Sequence, residues 1–185
     1  MAHSIELLLD SRTDTAIRAA WQALAEAGLP SQVNVKSSTN RPHITLLAAE
    51  RISPNVDEVL RALAPRLPFA CTVGAHVVFG GPVFGGPRLT LARLIVPSAD
   101  LLALHAEIYR LTLPFVSGQP YPHCQPGHWT AHATLGRRLT AVEVGTALGL
   151  AEEVAPDLMA PDLMAEAVAL RRWDSDARTD HLLIG

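Results

Sequence analysis

Short apolar runs alternate with longer amphipathic segments along the first half of the chain. Residues 5–9 predict a strand, and Asp10, Ser11 and Thr13 follow as candidate helix-capping residues before apolar positions that recur at three- and four-residue intervals. This spacing places apolar side chains on one face of a helix. A second strand over 43–47, a helix after Ser53 and a third strand over 69–79 complete this half.

The same order of elements recurs after a cluster of glycines and prolines at 80–87. The elements of the second half are a strand over 88–96, a helix capped by Ser98, a strand over 128–135, a helix opened by the capping box from Thr140 to Glu143, and strands over 167–173 and 181–184. We interpret the repetition as an internal duplication within one domain, residues 1–185, with pseudo-repeats of about 1–80 and 88–185.

Two segments do not fit this plan. Residues 114–127 are rich in proline and glycine, and residues 155–164 contain the sequence APDLM twice in tandem. We interpret both segments as loops or short turns. The first ends just before the central strand of the second half, so it is either a surface connection or a cover over that strand.

Composition narrows the class of protein. With 185 residues, 49% of them hydrophobic, the chain can bury a compact core. The formal net charge of -3 excludes a broad positive surface for long nucleic acid, so any contact with RNA must be local. Cys71 and Cys124 do not suggest a disulfide framework, the N-terminus lacks the pattern of a signal peptide, and no apolar stretch reaches the roughly 20 residues of a membrane helix. We therefore expect a soluble, cytoplasmic monomer without membrane contact.

The candidate chemistry lies in two His-x-Thr tripeptides at matching places in the two halves. Side chains alternate along a strand, so His43 and Thr45 share one face, and His132 and Thr134 do the same. A single such tripeptide is common, and a half-buried histidine that bonds to the backbone would explain it. Two copies on equivalent strands instead favour a shared site.

Two imidazoles that face one pocket are suited to phosphoryl transfer. A histidine with an ordinary pKa near ~6.5 can hold or release a proton at working pH, so one ring can act as base and the other as acid. Threonine hydroxyls one step along each strand can donate to the non-bridging phosphate oxygens. The residues themselves do not decide which histidine is the base.

The motifs RPHITLL and HWTAHATLGRR, together with the repeated element order, resemble the 2H phosphoesterase superfamily, and within it the bacterial 2'-5' RNA ligase and RNA 2',3'-cyclic phosphodiesterase branch. The resemblance implies an α+β fold, in which a pseudo-symmetric duplication of a β-α-β-α-β unit forms two lobes with antiparallel sheets lining a central cleft. It implies that His43 and His132 are the general acid and base, that Thr45 and Thr134 bind phosphate, and that Arg137 helps to neutralise it. The chain departs from the family pattern at Ala131, where proline often precedes the second histidine.

The expected function is hydrolysis of a 2',3'-cyclic phosphate or a related phosphodiester of RNA or a nucleotide. One histidine would activate water and the other would protonate the leaving ribose oxygen, with no metal and no organic cofactor. The partner is thus an RNA end or a nucleotide with a cyclic phosphate. The same acid and base could run the reverse reaction and join RNA through a 2'-5' bond.

Two alternatives remain open from the sequence. The chain could be a binding module that holds RNA ends or nucleotides without catalysis, or a zinc-dependent hydrolase with ligands at short spacing. The candidate zinc ligands are His123, Cys124, His128 and His132. Near the motifs, Arg41 shares a face with His43 as a further phosphate candidate, and Trp129 either stacks on a base or belongs to the core.

Overall fold

The computed structural model describes residues 2–80, 88–154 and 163–185. Within these ranges the chain forms eight strands and four α-helices. The strands are β1 (His3–Leu9), β2 (His43–Ile52), β3 (Phe69–Phe79), β4 (Leu89–Ile95), β5 (Val116–Pro120), β6 (His132–Leu139), β7 (Leu163–Asp174) and β8 (Thr179–Ile184). The helices are α1 (Ser11–Glu26), α2 (Val56–Arg61), α3 (Ala99–Thr112) and α4 (Ala141–Val154).

Local side-chain caps explain where three of the helices begin. The Asp10 carboxylate accepts the backbone N–H of Thr13, and the Ser98 hydroxyl accepts that of Leu101. Before α4, the predicted capping box is formed, because Thr140 and Glu143 each bond the other's backbone N–H through a side-chain oxygen. Of the three candidate caps before α1 the structure uses Asp10, and the predicted Ser98 cap and the capping box from Thr140 to Glu143 are confirmed.

All strand pairs are antiparallel, in the order β5-β2-β1-β7-β3-β4-β6, and β8 lies off this path and pairs with the later part of β7, from Leu170 to Asp174. The path from β2 to β6 is symmetric between the two halves. The strands β1, β2 and β3 correspond to β4, β6 and β7, in that order, and exchanging each strand for its counterpart reverses the path. Strand β3 of the first half therefore pairs with β4, the first strand of the second half, and β7 of the second half pairs with β1, the first strand of the first half. The predicted α+β, two-lobed, pseudo-symmetric architecture is confirmed, with one sheet running continuously through both lobes.

A β-bulge occurs at the same place in both halves. Across β1 and β2, Glu6 pairs with Thr45 and Ile5 with Leu47, which leaves Leu46 as the extra residue. Across β4 and β6 the extra residue is Leu135, by the same shift in register. A bulge increases local twist and frees backbone groups from the ladder, so the strand is distorted directly after the threonine of each motif.

The core lies between the sheet and the helices. One face of α1 contributes Ile17, Trp21 and Leu24, and these pack in one cluster with sheet residues such as Ile44 and Ala133. The apolar spacing seen in the sequence thus marks the buried helix face. Within the described ranges, no helix is long and apolar enough to span a membrane.

Several predicted elements need correction. The segment 114–127 is not only loop, because Val116–Pro120 forms β5 and pairs with the outer edge of β2. Of the segment 155–164, residues 155–162 lie outside the described residues, while Leu163 and Met164 begin β7 rather than ending a loop. The strand predicted over 128–135 begins only at His132, and the helix predicted after Ser53 begins at Val56.

Candidate functional site

The five residues singled out from the motifs line one cleft. His43 and Thr45 reach it from β2, His132 and Thr134 from β6, and Arg137 from farther along β6. The cleft has a volume of about 930 Å³. The structure thus brings together side chains that are far apart in sequence.

The alternation expected of a strand holds in both motifs. His43 and Thr45 are half-buried, whereas Ile44 between them is fully buried in the core. In β6 the half-buried His132 and Thr134 flank the buried Ala133 in the same way. Each motif therefore presents its polar side chains to the cleft and its intervening side chain to the core.

The two imidazoles are oriented by equivalent hydrogen bonds. His43 Nδ1 lies 2.8 Å from the carbonyl oxygen of Arg41, and His132 Nδ1 lies 2.7 Å from that of Thr130. A carbonyl can only accept, so each Nδ1 carries a hydrogen and donates it. The Nε2 atom of each ring is then the nitrogen that can exchange a proton with a ligand.

Two indole groups bind the backbone of the motif strands across the molecule. Trp129 Nε1 donates to the Thr45 carbonyl oxygen at 2.9 Å, and Trp21 Nε1 donates to the Thr134 carbonyl oxygen at 2.9 Å. Both acceptors lie next to a bulge, where the strand ladder is interrupted. Each half thereby supplies a tryptophan that helps to fix the threonine of the other half.

The buried His105 packs against the indole ring of Trp129. The rings of His105 and Trp129 stack with centroids 3.9 Å apart and an interplanar angle of 4°. His105 Nε2 lies 3.0 Å from the carbonyl oxygens of both Leu46 and Cys124, so it donates to that pair. Burial lowers the pKa of His105, against the opposing effect of these two bonds, and so favours a neutral ring. Trp129 both borders the cleft and packs on the core.

Glu6 of β1 places a buried carboxylate beside His43. The residue is only 5% exposed, and its Oε1 lies 3.6 Å from His43 Nε2. The Ser4 hydroxyl donates to the same Oε1 at 2.6 Å. Burial alone raises the pKa of the Glu6 carboxyl, but the charges of His43 and Arg171 and the bonds from Ser4 and Arg171 outweigh it and lower that pKa. Glu6 is therefore ionised at neutral pH.

Arg171 of β7 fixes the other oxygen of this carboxylate. Its Nε and Nη2 atoms both lie 2.8 Å from Glu6 Oε2. Its Nη1 donates to Asp180 Oδ2 and to the Thr39 carbonyl oxygen, each at 2.9 Å. Arg171 is 3% exposed and the three nitrogens of its guanidinium are all engaged, so it holds Glu6 in place.

His132 has different surroundings. The ring of Phe79 packs against it in a tilted arrangement, with centroids 4.6 Å apart. Burial is the main cause that lowers the pKa of His132, and positive charge at Arg137, His43 and His123 lowers it further against the opposing bond to Thr130. The neutral imidazole is favoured here.

Sequence reasoning missed Glu6 and Arg171. Each is a charged residue inside an otherwise apolar strand, which is the signal that could have marked it. Arg41, the further phosphate candidate, does not line the cleft. Its Nε instead lies 3.6 Å from Asp14 Oδ2 on α1.

The four residues considered as zinc ligands do not form a ligand set. His123, Cys124, His128 and His132 all border the cleft, but within the described ranges no three of their donor atoms lie within 4.8 Å of one another. The zinc site considered from the sequence, with these four residues as ligands, is therefore contradicted by their positions.

A different group of potential ligands does come together: His3, Asp174 and Asp176. Arg51 Nη2 already donates to Asp176 at 3.0 Å, and Asp174 Oδ1 accepts two backbone N–H groups. These partners account for the carboxylates without an ion.

Comparison with known proteins adds the family context. A family model described as the 2'-5' RNA ligase superfamily matches residues 12–177. Among solved structures, Kluyveromyces marxianus Usb1 is similar at 15% identity and a TM-score of 0.55, over 98% of this chain and 97% of that chain. Its structure with uridine monophosphate is similar at 14% identity and a TM-score of 0.53, over 98% and 96% of the two chains. No curated protein matches the sequence significantly. The structural likenesses show a shared fold.

Proposed function

Because the chain belongs to the 2'-5' RNA ligase superfamily of 2H phosphoesterases, enzymes of the phosphodiesterase type, we propose that it hydrolyses a 2',3'-cyclic phosphate or a related phosphodiester of RNA or a nucleotide. His43 and His132 are the acid and base. The observation that carries this proposal is the matched orientation of the two rings that line the cleft: each donates through Nδ1 to the carbonyl oxygen two residues earlier, which leaves Nε2 for the substrate.

The proposed reaction is a single in-line displacement at phosphorus. One imidazole takes a proton from water through its neutral Nε2 while the water oxygen forms a bond to phosphorus. The other imidazole, protonated at Nε2, gives its proton to the ribose oxygen as the bond from phosphorus to that oxygen breaks. The product is a phosphate monoester with one free hydroxyl. With a ribose 5'-hydroxyl in place of water as the nucleophile, the same two proton transfers would open the cyclic phosphate at its 3'-oxygen and form a 2'-5' bond.

Three further cleft residues have side chains suited to binding the phosphate. The hydroxyls of Thr45 and Thr134 are hydrogen-bond donors for the two non-bridging oxygens, and both are held by strands whose backbone is fixed by indole groups. Arg137 is exposed at the cleft and adds positive charge where the phosphate would lie.

The size of the cleft favours a short substrate. About 930 Å³ is at the upper end of the range of small-molecule sites, enough for a nucleotide or a short RNA end. The related Usb1 fold has been solved with uridine monophosphate, which is a ligand of that size. With a net charge of -3, binding would depend on this local site rather than on a general attraction to RNA.

A turnover assay tests the proposal. The panel contains nucleoside 2',3'-cyclic phosphates, short RNA with a cyclic-phosphate end, and ADP-ribose cyclic phosphate, with and without a chelator. We expect hydrolysis of at least one substrate, a bell-shaped pH-rate profile, and no loss of rate on chelation. His181→Ala, at an exposed histidine outside the cleft, is the control for His43→Ala. Tight nucleotide binding without turnover would instead identify a binding module, and loss of activity with the chelator would contradict the mechanism.

A further inference from the structure

The two halves of the cleft differ at one equivalent position. In the first half, Glu6 of β1 lies between Thr45 of β2 and Arg171 of β7 in the sheet register. In the second half, Ala92 of β4 lies between Thr134 of β6 and Val77 of β3. The backbone positions correspond strand by strand, but only the first half carries a carboxylate and its arginine partner.

The carboxylate is held at His43 by more than one group. Ser4 and Arg171 each bind one of its oxygens, and both partners lie on strands of the same sheet. Its Oε1 is thereby kept 3.6 Å from Nε2 of His43, the ring nitrogen that is not bonded to the backbone. The exchange of a proton at that nitrogen must therefore occur next to a fixed negative charge.

The charges around the two rings have opposite signs. Glu6 of β1 lies beside His43, Arg171 of β7 pairs with Glu6, and Asp180 of β8 pairs with Arg171, so this chain of ion pairs has one net negative charge that an imidazolium at His43 would balance. Arg41, two residues before His43, is paired with Asp14 of α1.

Facing His132 are positive charge at Arg137 and the imidazoles of His43 and His123. The position equivalent to Arg137 in the first half is Ala48, since Arg137 pairs with Thr90 as Ala48 pairs with Ser4. The positively charged imidazolium form, with protons on both ring nitrogens, is thus favoured beside Glu6 and disfavoured beside Arg137.

We propose that Glu6 is a positioning residue that keeps a proton on Nε2 of His43, so that His43 is the general acid and His132 the general base of the hydrolysis. This inference rests on the proposed function. His132 Nε2 takes the proton of the attacking water, and His43 Nε2 gives its proton to the leaving ribose oxygen. Glu6 itself neither gains nor loses a proton, and the two rings return to their starting states by exchange with solvent.

The test compares Glu6→Gln with Glu50→Gln, the same chemical change at an exposed position of β2 outside the cleft. On a substrate that the wild type hydrolyses, we expect Glu6→Gln to lower kcat by about 10- to 100-fold, with a smaller change in KM. The basic limb of its pH-rate profile, which reports loss of the proton from the acid, should move to lower pH. The acidic limb, which reports His132, should stay in place. A Glu6→Gln profile identical to that of Glu50→Gln would overturn the proposal.

A second measurement needs neither turnover nor a folded Glu6 variant. NMR titration of the wild-type imidazoles, assigned with His43→Ala and His132→Ala, gives the order in which the rings lose their protons. We expect His132 to lose its proton at lower pH than His43, and the reverse order would refute the assignment. A wild type that hydrolyses no phosphodiester would defeat the proposed function, while the titration would still decide where the proton resides.

Discussion

The two motif strands, β2 and β6, share a backbone design and differ in the charges beside it. Each has a bulge after its threonine, an Nδ1 bond from its histidine to a carbonyl two residues earlier, and an indole N–H bound to its threonine carbonyl. Beside His43 stands a buried carboxylate, Glu6, whereas beside His132 stands an arginine, Arg137. The similar backbone of the two strands thus orients His43 and His132 in the same way at one cleft, with Nε2 as the available nitrogen of each ring.

Under the proposed mechanism, this difference explains how a pseudo-symmetric fold would carry out an asymmetric reaction. Acid–base catalysis needs one ring that starts with a proton and one that starts without it. Identical environments would give both rings the same preference, and two imidazolium groups in one cleft would repel each other. Because the backbone keeps the rings equivalent, the neighbouring side chains are the simplest means of making them different.

Removal of either histidine should have the largest effect. We expect His43→Ala and His132→Ala each to lower kcat on a cyclic phosphate by about 10²- to 10⁴-fold, because each removes one proton-transfer step. A nucleoside p-nitrophenyl phosphodiester, whose leaving group departs without a proton, separates the two roles. On that substrate His43→Ala should recover much of its rate and His132→Ala should not. Steady-state assays on both substrates check this, and equal losses on the aryl ester would contradict the assignment of His43 as the acid.

Loss of a threonine hydroxyl should be the next largest effect, and it should be similar in the two halves. Thr45→Val and Thr134→Val keep the side-chain shape but remove one donor to the phosphate, so we expect each to lower kcat/KM by about 10²-fold. Neither should move the limbs of the pH-rate profile. Thr146→Val, on the exposed face of α4, serves as the control. If one of the two cleft variants retained wild-type kcat/KM, the phosphate would be bound by one half only.

Much of this site was predictable from local sequence, because strand alternation fixes which side chains share a face. His43 with Thr45, and His132 with Thr134, were identified on that basis, and the caps of α1, α3 and α4 follow from short-range chemistry. Such features depend on residues only two or three positions apart.

The missed features depend on distant pairing. Glu6 contacts Arg171 because β7 crosses into the first lobe and pairs with β1, and nothing near Glu6 in the sequence indicates that strand order. Strand β5 was missed because Val-Ser-Gly-Gln-Pro has no alternation of its own and is ordered by the edge of β2. A lone charge in an apolar strand signals a buried partner but does not identify it.

The pH dependence offers a smaller and more specific test. Since the pKa of His132 is lowered, this ring stays neutral to a lower pH than an ordinary histidine, and the acidic limb of the kcat/KM profile should lie below about pH 6.5. Arg137→Ala removes one cause of that lowering. We therefore expect it to move the acidic limb to higher pH, in addition to about a tenfold loss of kcat/KM from weaker phosphate binding.

Arg137→Lys is the matched control for this prediction, because it keeps the charge and loses only the fork of donors. Its acidic limb should coincide with that of the wild type. Profiles are best recorded at low ionic strength, since salt screens an exposed charge such as that of Arg137. An acidic limb of Arg137→Ala that moved to lower pH would contradict the electrostatic account.

The two tryptophans allow the finest comparison, because they make the same bond in different surroundings. Trp21→Phe and Trp129→Phe each remove an indole N–H from a threonine carbonyl, which should cost about 1–3 kcal/mol of unfolding free energy where water cannot replace it. Trp21 is almost fully buried, whereas Trp129 borders the cleft. Water can reach the Thr45 carbonyl more easily, so denaturant unfolding should show the larger loss for Trp21→Phe. A larger loss for Trp129→Phe would mean that its stacking on His105, rather than its hydrogen bond, makes the greater contribution.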